Sequence, residues 1–307
     1  MVNKVKIFCA GLIGWDTIGR TNLAIKKGED LPGSIETILG GVIVNVAIAL
    51  TKFVQNKIDL EVIILSSIGN DPKSDALLLA LSEHKNINCK HVIREIGSTD
   101  GYLAIESRDG LFGAIASSTQ IEKSCTKIFA PLINQQIPTI NSMFKDFVMV
   151  DSNLTTKTIN FLTNNPFFDQ TPFIITCASP FKAKKIRSLM IKRKCTIYAN
   201  LEEASAILGV KTTCSSEAAE ELFRLGAREA IVTNGKEKTS SRSINGLATN
   251  IPKKTMISKI TGAGDTFLAT HFISKILNKE LSDQKRLKIG ADSAQKAITY
   301  VTKETND

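Results

Sequence analysis

No stretch of this 307-residue chain approaches the roughly 20 consecutive apolar residues that a membrane helix requires. The longest candidate, around Val42 to Leu50, is broken by Asn45. The chain also has no Cys-x-x-Cys pair. Its six cysteines, Cys9, Cys89, Cys125, Cys177, Cys195 and Cys214, are scattered, several inside apolar runs, which points to reduced, partly buried thiols in a cytoplasm. His84, His91 and His271 are the only histidines, and their spacing suits no metal site. Nor is there a Walker A phosphate loop. Lys4 and Lys6 before Ile7 to Trp15 faintly resemble a signal peptide, but no small-residue cleavage site follows and the run meets Asp16, so it reads as a first strand.

Acidic residues are outnumbered, 30 against 39 Lys and Arg, for a net charge of +9. Much of the excess lies in Lys182, Lys184, Lys185, Arg187, Lys192, Arg193 and Lys194, with no acid among them. Such a run suits nucleic acid or an anionic substrate. No aromatic residue interleaves with it as a single-strand groove requires, so it reads as a solvated helix face and nucleic acid is not an expected partner.

The hydrophobic content of 43% suffices for one large domain or two modest ones. Val5 to Ala10, Val62 to Ser66, Phe147 to Val150, Phe173 to Cys177, Thr196 to Tyr198 and Ala230 to Thr233 have the length and composition of buried strands. Helical patterns alternate with them: Val44 to Phe53, Asp75 to Leu81, Thr155 to Leu162, Lys184 to Ile191, Glu202 to Leu208 and Ser216 to Leu225. This alternation predicts an α/β fold with a mainly parallel sheet flanked by helices, with ligands at the carboxyl ends of the strands. The strand ends carry glycines, carboxylates and amides: Gly11 and Asp16, Gly69 to Asp71, Asp151 to Asn153, Asn200 with Glu203, and Thr233 to Gly235. Two segments break the rhythm. Ile18 to Thr37 contains Pro32-Gly33, and Gly101 to Ala116 alternates about Asp109-Gly110, a hairpin signal. They predict a small β lid, formed by residues of about 14–39 and 98–118, that keeps water from a reacting group.

Near the end, Thr261-Gly262-Ala263-Gly264-Asp265-Thr266 precedes apolar residues at helical spacing: Phe267, Leu268, Phe272, Ile273, Ile276 and Leu277. A glycine turn opening a helix presents free N–H groups that suit a phosphate. Asp265 in the first turn is placed to take a proton from an alcohol attacking a phosphoryl group.

Gly40-Gly41 with Asn45 and Ala47, Asn200-x-x-Glu203, and Thr261 to Asp265 stand in the order and spacing of three motifs of the PfkB, or ribokinase-like, kinases. The chain resembles that family over nearly its whole length. The resemblance implies one kinase domain over 1–307 with a Rossmann-like sheet, and phosphoryl transfer from ATP with Mg²⁺ to a primary alcohol on a ribose-like ring. It implies Asp265 as base, in a turn built by Gly262, with the N–H groups of Ala263, Gly264 and Asp265 as an anion hole. Substrate contacts would be Asp16, Gly40, Gly41, Asn45, Asp151 and Asn153. ATP contacts would be Asn200, Thr233, Gly235 and Thr261. Glu203 and Asn200 would hold Mg²⁺ through water, and the need for a monovalent cation stays open. Pro32 to Ile35, Val150 to Leu154, Ala178-Ser179 with Lys182, Lys185 and Arg187, and Ala294-Gln295 are most similar to the pseudouridine kinases within that family. Ribose, another nucleoside or another sugar is the alternative substrate, and a non-catalytic ligand- or nucleic-acid-binding relative the alternative class. Exposed lid strands offer a homodimer contact. The chain departs from the pattern at Gly14, Ile43, Val44, Thr176-Cys177 and Lys238, of which Ile43 and Val44 are expected to make the sugar wall more apolar.

Overall fold

The computed structural model describes residues 5–54, 58–137, 146–253 and 262–298. The first apolar run forms β1 (Val5–Ala10), buried from its second residue onward as a strand covered on both faces must be. A second, smaller sheet then begins with β2 (Gly14–Arg20) and β3 (Ser34–Gly40). Helix α1 (Val42–Val54) leads back to β4 (Leu60–Leu65), followed by β5 (Ser67–Gly69), α2 (Pro72–Ser82), β6 (Ile87–Asn88) and β7 (Ile93–Glu95). Asp71 starts α2 with a capping box: its carboxylate accepts the Ser74 N–H, and Pro72 fills the first turn. The hairpin β8 (Gly101–Ser107) and β9 (Gly110–Ala116) completes the small sheet.

Short helices α3 (Thr119–Ser124) and α4 (Ala130–Ile133) precede β10 (Phe147–Asp151). Strand and helix then alternate: α5 (Thr156–Asn164), β11 (Phe173–Thr176), α6 (Pro180–Ala183), α7 (Arg187–Arg193), β12 (Thr196–Asn200), α8 (Leu201–Leu208), α9 (Ser215–Leu225) and β13 (Glu229–Thr233). The hairpin β14 (Thr239–Ser243) and β15 (Gly246–Asn250) precedes the closing helices α10 (Ala263–Leu277) and α11 (Asp283–Ile298).

The large sheet runs β15-β14-β13-β12-β11-β10-β1-β4-β6. Its parallel part contains, side by side, the six strands expected from the sequence. Alternate residues of β1 divide the core in two. Phe8 and Ala10 face a layer that includes Ile159, Leu189, Ile207 and Leu222, whereas Ile7 and Cys9 face one that includes Val46, Leu50, Leu268 and Ile273. Each layer is an apolar helix face laid on one side of the sheet, and together they supply the main driving force for folding.

The small sheet runs β3-β2-β8-β9. Its register places Asp16 beside Ile38 and Tyr102, and Ile18 beside Ala104, on one face. Ile35, Leu103, Ile105 and Ile115 lie on the other, all exposed. Ile18 and Ala104 are buried, so the first face is turned to the body of the molecule.

Ile43 and Val44 are fully buried in the core layer under α1, so the expectation that they line the sugar wall is corrected. They face the core because Asn45, one residue on, occupies the side of the helix toward the site. The basic run is largely used internally. Arg187 donates to the Ile207 and Leu208 carbonyls at the end of α8, and Arg193 to the Leu162 and Asn165 carbonyls beside α5. These are carbonyls that helix ends leave without intrahelical partners. All six cysteines are free thiols. No helix among the described residues is long and apolar enough to cross a membrane.

Candidate active site

The site forms where the carboxyl ends of the parallel strands meet the amino end of α10. Gly262 precedes that helix at φ +87°, a conformation that glycine alone adopts cheaply. No side chain caps the helix, so the N–H groups of its first turn are left for an anion. Thr261 lies outside the described residues. Asp265 projects from that first turn, and one carboxylate oxygen accepts a 2.9 Å hydrogen bond from the Asn45 side-chain amide on α1. This bond joins residues 220 positions apart and ties the glycine turn to the Gly-Gly motif.

At the start of that motif the Asp16 carboxylate lies directly against Gly40, where any Cβ would collide with it. Gly41 follows at φ +98° and leads into α1. Asp16, Gly40, Gly41, Asn45 and Asp265 are therefore gathered on one side of the cleft, under the inner face of the small sheet. Tyr102, which the sequence reading missed, flanks Asp16 in the register. Burial first and the Asp16 charge second raise its phenol above the usual range. Gly14 is backed by the Asp100 carbonyl, which would collide with any Cβ there.

Asp265 stands in a strongly perturbing environment. Burial pushes its carboxyl up to about 7, and the neighbouring charges of Glu203, Asp151 and Asp16 push the same way, against the Asn45 hydrogen bond. Three further acids thus sense this one group, and a carboxylate poised near neutrality suits general-base work.

Asn200 ends β12 and caps α8. Its side chain accepts the Glu203 N–H and the Glu203 carboxylate accepts the Asn200 N–H, each at 2.9 Å. The Asn-x-x-Glu element is thus a capping box by construction. Glu203 also lines a cavity of about 120 Å³ with Asn200, Thr176, Cys177, Gly264 and Asp265. Burial raises its carboxyl above the usual range. Asn200, Thr233 and Gly264 line this space and also a neighbouring cavity of about 440 Å³, to which Gly235 and Ala263 belong. Lys236, Lys253, Ala291 and Gln295 also belong to its wall. Of these the sequence reading singled out only Gln295, because α11 is too polar to stand out. Lys238 is exposed and outside that wall, and its backbone carbonyl accepts from the Ser215 hydroxyl.

Asp151 and Asn153 are placed differently from expectation. The Asp151 carboxylate is fully buried and accepts from the backbone N–H groups of Leu12 and Asn153 and from the Asn153 amide. The Asn153 side-chain oxygen accepts from the Lys182 ammonium at 2.6 Å. These contacts fasten β10 to the loop after β1. They correct the expectation of direct substrate contacts, because neither Asp151 oxygen meets the cleft, though its charge reaches Asp265. His271 is a buried core residue of α10, stacked on Phe267, with its Nδ1 at 2.8 Å from the Tyr198 hydroxyl.

The sequence matches the pfkB family carbohydrate kinase profile over residues 5–305. No curated protein matches the chain. Among solved structures, the fold is similar to that of a carbohydrate kinase from Agrobacterium tumefaciens, with a TM-score of 0.74 at 23% identity over 94% of this chain and 89% of that one. A ribokinase from Thermotoga maritima gives 0.75 at 18% identity, covering 98% and 94%. Arabidopsis thaliana ribokinase, complexed with ribose and ATP, gives 0.73 at 15% identity, covering 97% and 93%. The ribokinase-like α/β fold is thereby shown, and by the match over almost its full length the chain belongs to the pfkB family of carbohydrate kinases.

Proposed function

We propose that this family member transfers the γ-phosphoryl group of ATP to the 5′-hydroxyl of pseudouridine. The observation that carries the chemistry is Asp265: a carboxyl raised to about 7, at an uncapped helix start, held by Asn45 from the other half of the chain. The acceptor oxygen attacks the γ-phosphorus and gives its proton to the Asp265 carboxylate. The bond from that phosphorus to the bridging oxygen breaks, and ADP leaves. The N–H groups of Ala263, Gly264 and Asp265 stabilise the charge on the transferring group, and positioning with charge stabilisation is what this reaction requires. Asp16, Gly41 and Asn45 hold the sugar. The cavity lined by Asn200, Thr233, Gly235 and Ala263 holds the nucleotide.

Mg²⁺ keeps several of its waters and binds through one or two carboxylates plus phosphates. The Glu203 carboxylate beside Asn200 and the helix start fits that demand. Bound there, the ion would neutralise phosphate charge and so lower the barrier to attack. Pseudouridine as acceptor is supported by the local sequence strings at Pro32 to Ile35, Val150 to Leu154, Ala178-Ser179 and Ala294-Gln295, and by Tyr102, an aromatic ring in line with Asp16. The small sheet acts as a lid over this side of the cleft, and its apolar outer face serves a homodimer contact.

The test is ADP release from MgATP with pseudouridine, ribose, uridine and other sugars in parallel. Turnover with pseudouridine at the highest kcat/KM is expected, and a preference for ribose would reassign the substrate while keeping the chemistry. Asp265→Asn is expected to lower kcat by at least about a thousandfold, in the range seen when a base or oxyanion donor is lost. ATP affinity by calorimetry should be nearly unchanged.

A further inference from the structure

The turn between β1 and β2, residues 11–13, carries the acceptor side of the cleft, because Asp16 follows it on β2 and Gly41 rests on it. Any Cβ on Gly41 would collide with the Leu12 carbonyl. The Gly41 carbonyl in turn accepts the Asn45 N–H at 3.1 Å, a bond in the first turn of α1. The Asn45 amide then donates to Asp265. Where the Leu12 turn sits therefore decides where Asp16, Gly41 and Asn45 sit.

From the other side the turn is held by one carboxylate. The Leu12 N–H donates to Asp151 at 3.1 Å, and the same carboxylate lies directly against Gly11, where any Cβ would meet it. Asp151 is fully buried, and a buried carboxylate is costly unless donors and a cation compensate it. The donors are Leu12 and Asn153, and the cation is Lys182, which acts through Asn153. The Asn153 amide, 6% exposed, donates to Asp151 at 3.0 Å and accepts from the Lys182 ammonium at 2.6 Å. Its orientation is fixed at both ends, since an ionised carboxylate only accepts and an ammonium only donates. Both bonds involve a charged partner and are of the stronger class. Burial raises the Asp151 carboxyl, and the bonds from Asn153 and Leu12 and the Lys182 charge oppose that rise. Arg187 and Arg193 of the same basic run serve helix ends, whereas Lys182 reaches inward to the amide that supports Asp151.

We propose that Lys182 is a positioning residue for the acceptor, acting through Asn153 and Asp151 on the Leu12 turn and so on Asp16, Gly41 and Asn45. The proposal rests on the assignment of those three residues to the acceptor alcohol. Of the described residues that line the nucleotide cavity, none belongs to this chain of contacts. Loss of the ammonium should therefore loosen the acceptor side and spare ATP.

Two measurements on the full-length protein test it: amide hydrogen exchange without ligands, and steady-state kinetics with MgATP and pseudouridine, or ribose if that is the better acceptor. In Lys182→Met, which keeps the stem and removes the charge, exchange over residues 11–16 is expected to be about tenfold faster, with α10 unchanged. KM for the acceptor should rise about fivefold or more while KM for ATP stays within about twofold. Lys182→Arg can still donate to Asn153 and should bring exchange and acceptor KM back to within about threefold of the unsubstituted protein. Lys184→Met, which removes an exposed cation of the same run, should change neither. Unchanged exchange over 11–16, acceleration spread equally through α10, an equal rise in both KM values, or the same effects from Lys184→Met would each overturn the proposal. If no alcohol is phosphorylated, the kinase reading fails by itself, and the exchange measurement still decides whether Lys182 holds the turn.

Discussion

A single carboxyl, Asp265, sets the pH behaviour expected of this protein. With the group raised to about 7 by burial and by the charges of Glu203, Asp151 and Asp16, kcat/KM should climb about tenfold per pH unit below 7 and level off above it, since the base acts when deprotonated. Asn45 donates to the ionised form and so opposes the rise. Asn45→Ala should move that limb upward by about one pH unit, consistent with the worth of a hydrogen bond to a charged group. A limb that stays in place would remove Asn45 from this role. The same shift has a consequence for stability. The folded carboxyl keeps a proton that the unfolded chain releases from 3.8 upward, so its contribution is fully present below 3.8 and lost as pH rises through about 7. Asp265→Asn should therefore melt at nearly the same temperature as the unsubstituted protein at pH 3.5 and at a higher one at pH 8, measured without nucleotide. Which residues form this cluster was legible in the motifs. The raised carboxyl was not, because it depends on enclosure and on three acids brought in from distant parts of the chain.

At the scale of elements, one helix start combines a structural and a chemical duty. Asn200 and Glu203 cap each other, and losing an Asn cap to Ala costs about 1 kcal/mol. Asn200→Ala should lower the urea midpoint accordingly, whereas Asn200→Ser, which retains a capping oxygen, should recover most of it. If the Asn200 amide also meets phosphate, kcat/KM stays low in both variants, and recovery of activity by Ser would reduce the residue to a cap. The element α11 shows the limit of periodicity. Of its 16 residues only Arg286, Leu287, Gly290 and Ala291 are buried, too thin an apolar stripe to stand out, yet Ala291 and Gln295 line the nucleotide cavity. The hairpin of β14 and β15 was missed for a related reason. Its residues Thr239 to Ser243 are hydroxyl side chains and one Arg, buried through hydrogen bonds such as Ser215 to Ser240 at 2.9 Å.

For the whole molecule, the outer face of the small sheet carries the proposed homodimer contact. Ile35 is 80% and Ile115 72% exposed, on the face that also carries Leu103 and Ile105. An apolar patch of this kind on one sheet face marks an interaction surface. Sedimentation should show a dimer of the unsubstituted protein, and Ile35→Lys combined with Leu103→Lys should give a monomer. A monomer without substitution would leave that face with another use.

The sequence by itself determined the α/β architecture, because apolar runs of strand length alternating with helical faces can bury themselves in few other ways. It also determined the glycine turn, the caps and the family motifs, since these depend on residues within one or two turns of each other. Tertiary structure alone decided that Ile43 and Val44 face the core, that Asp151 fastens two loops together, and that the basic run seals helix ends. Each of those depends on which surfaces meet when strands far apart in the chain become neighbours, and burial, pairing and desolvation are properties of the meeting rather than of any one segment.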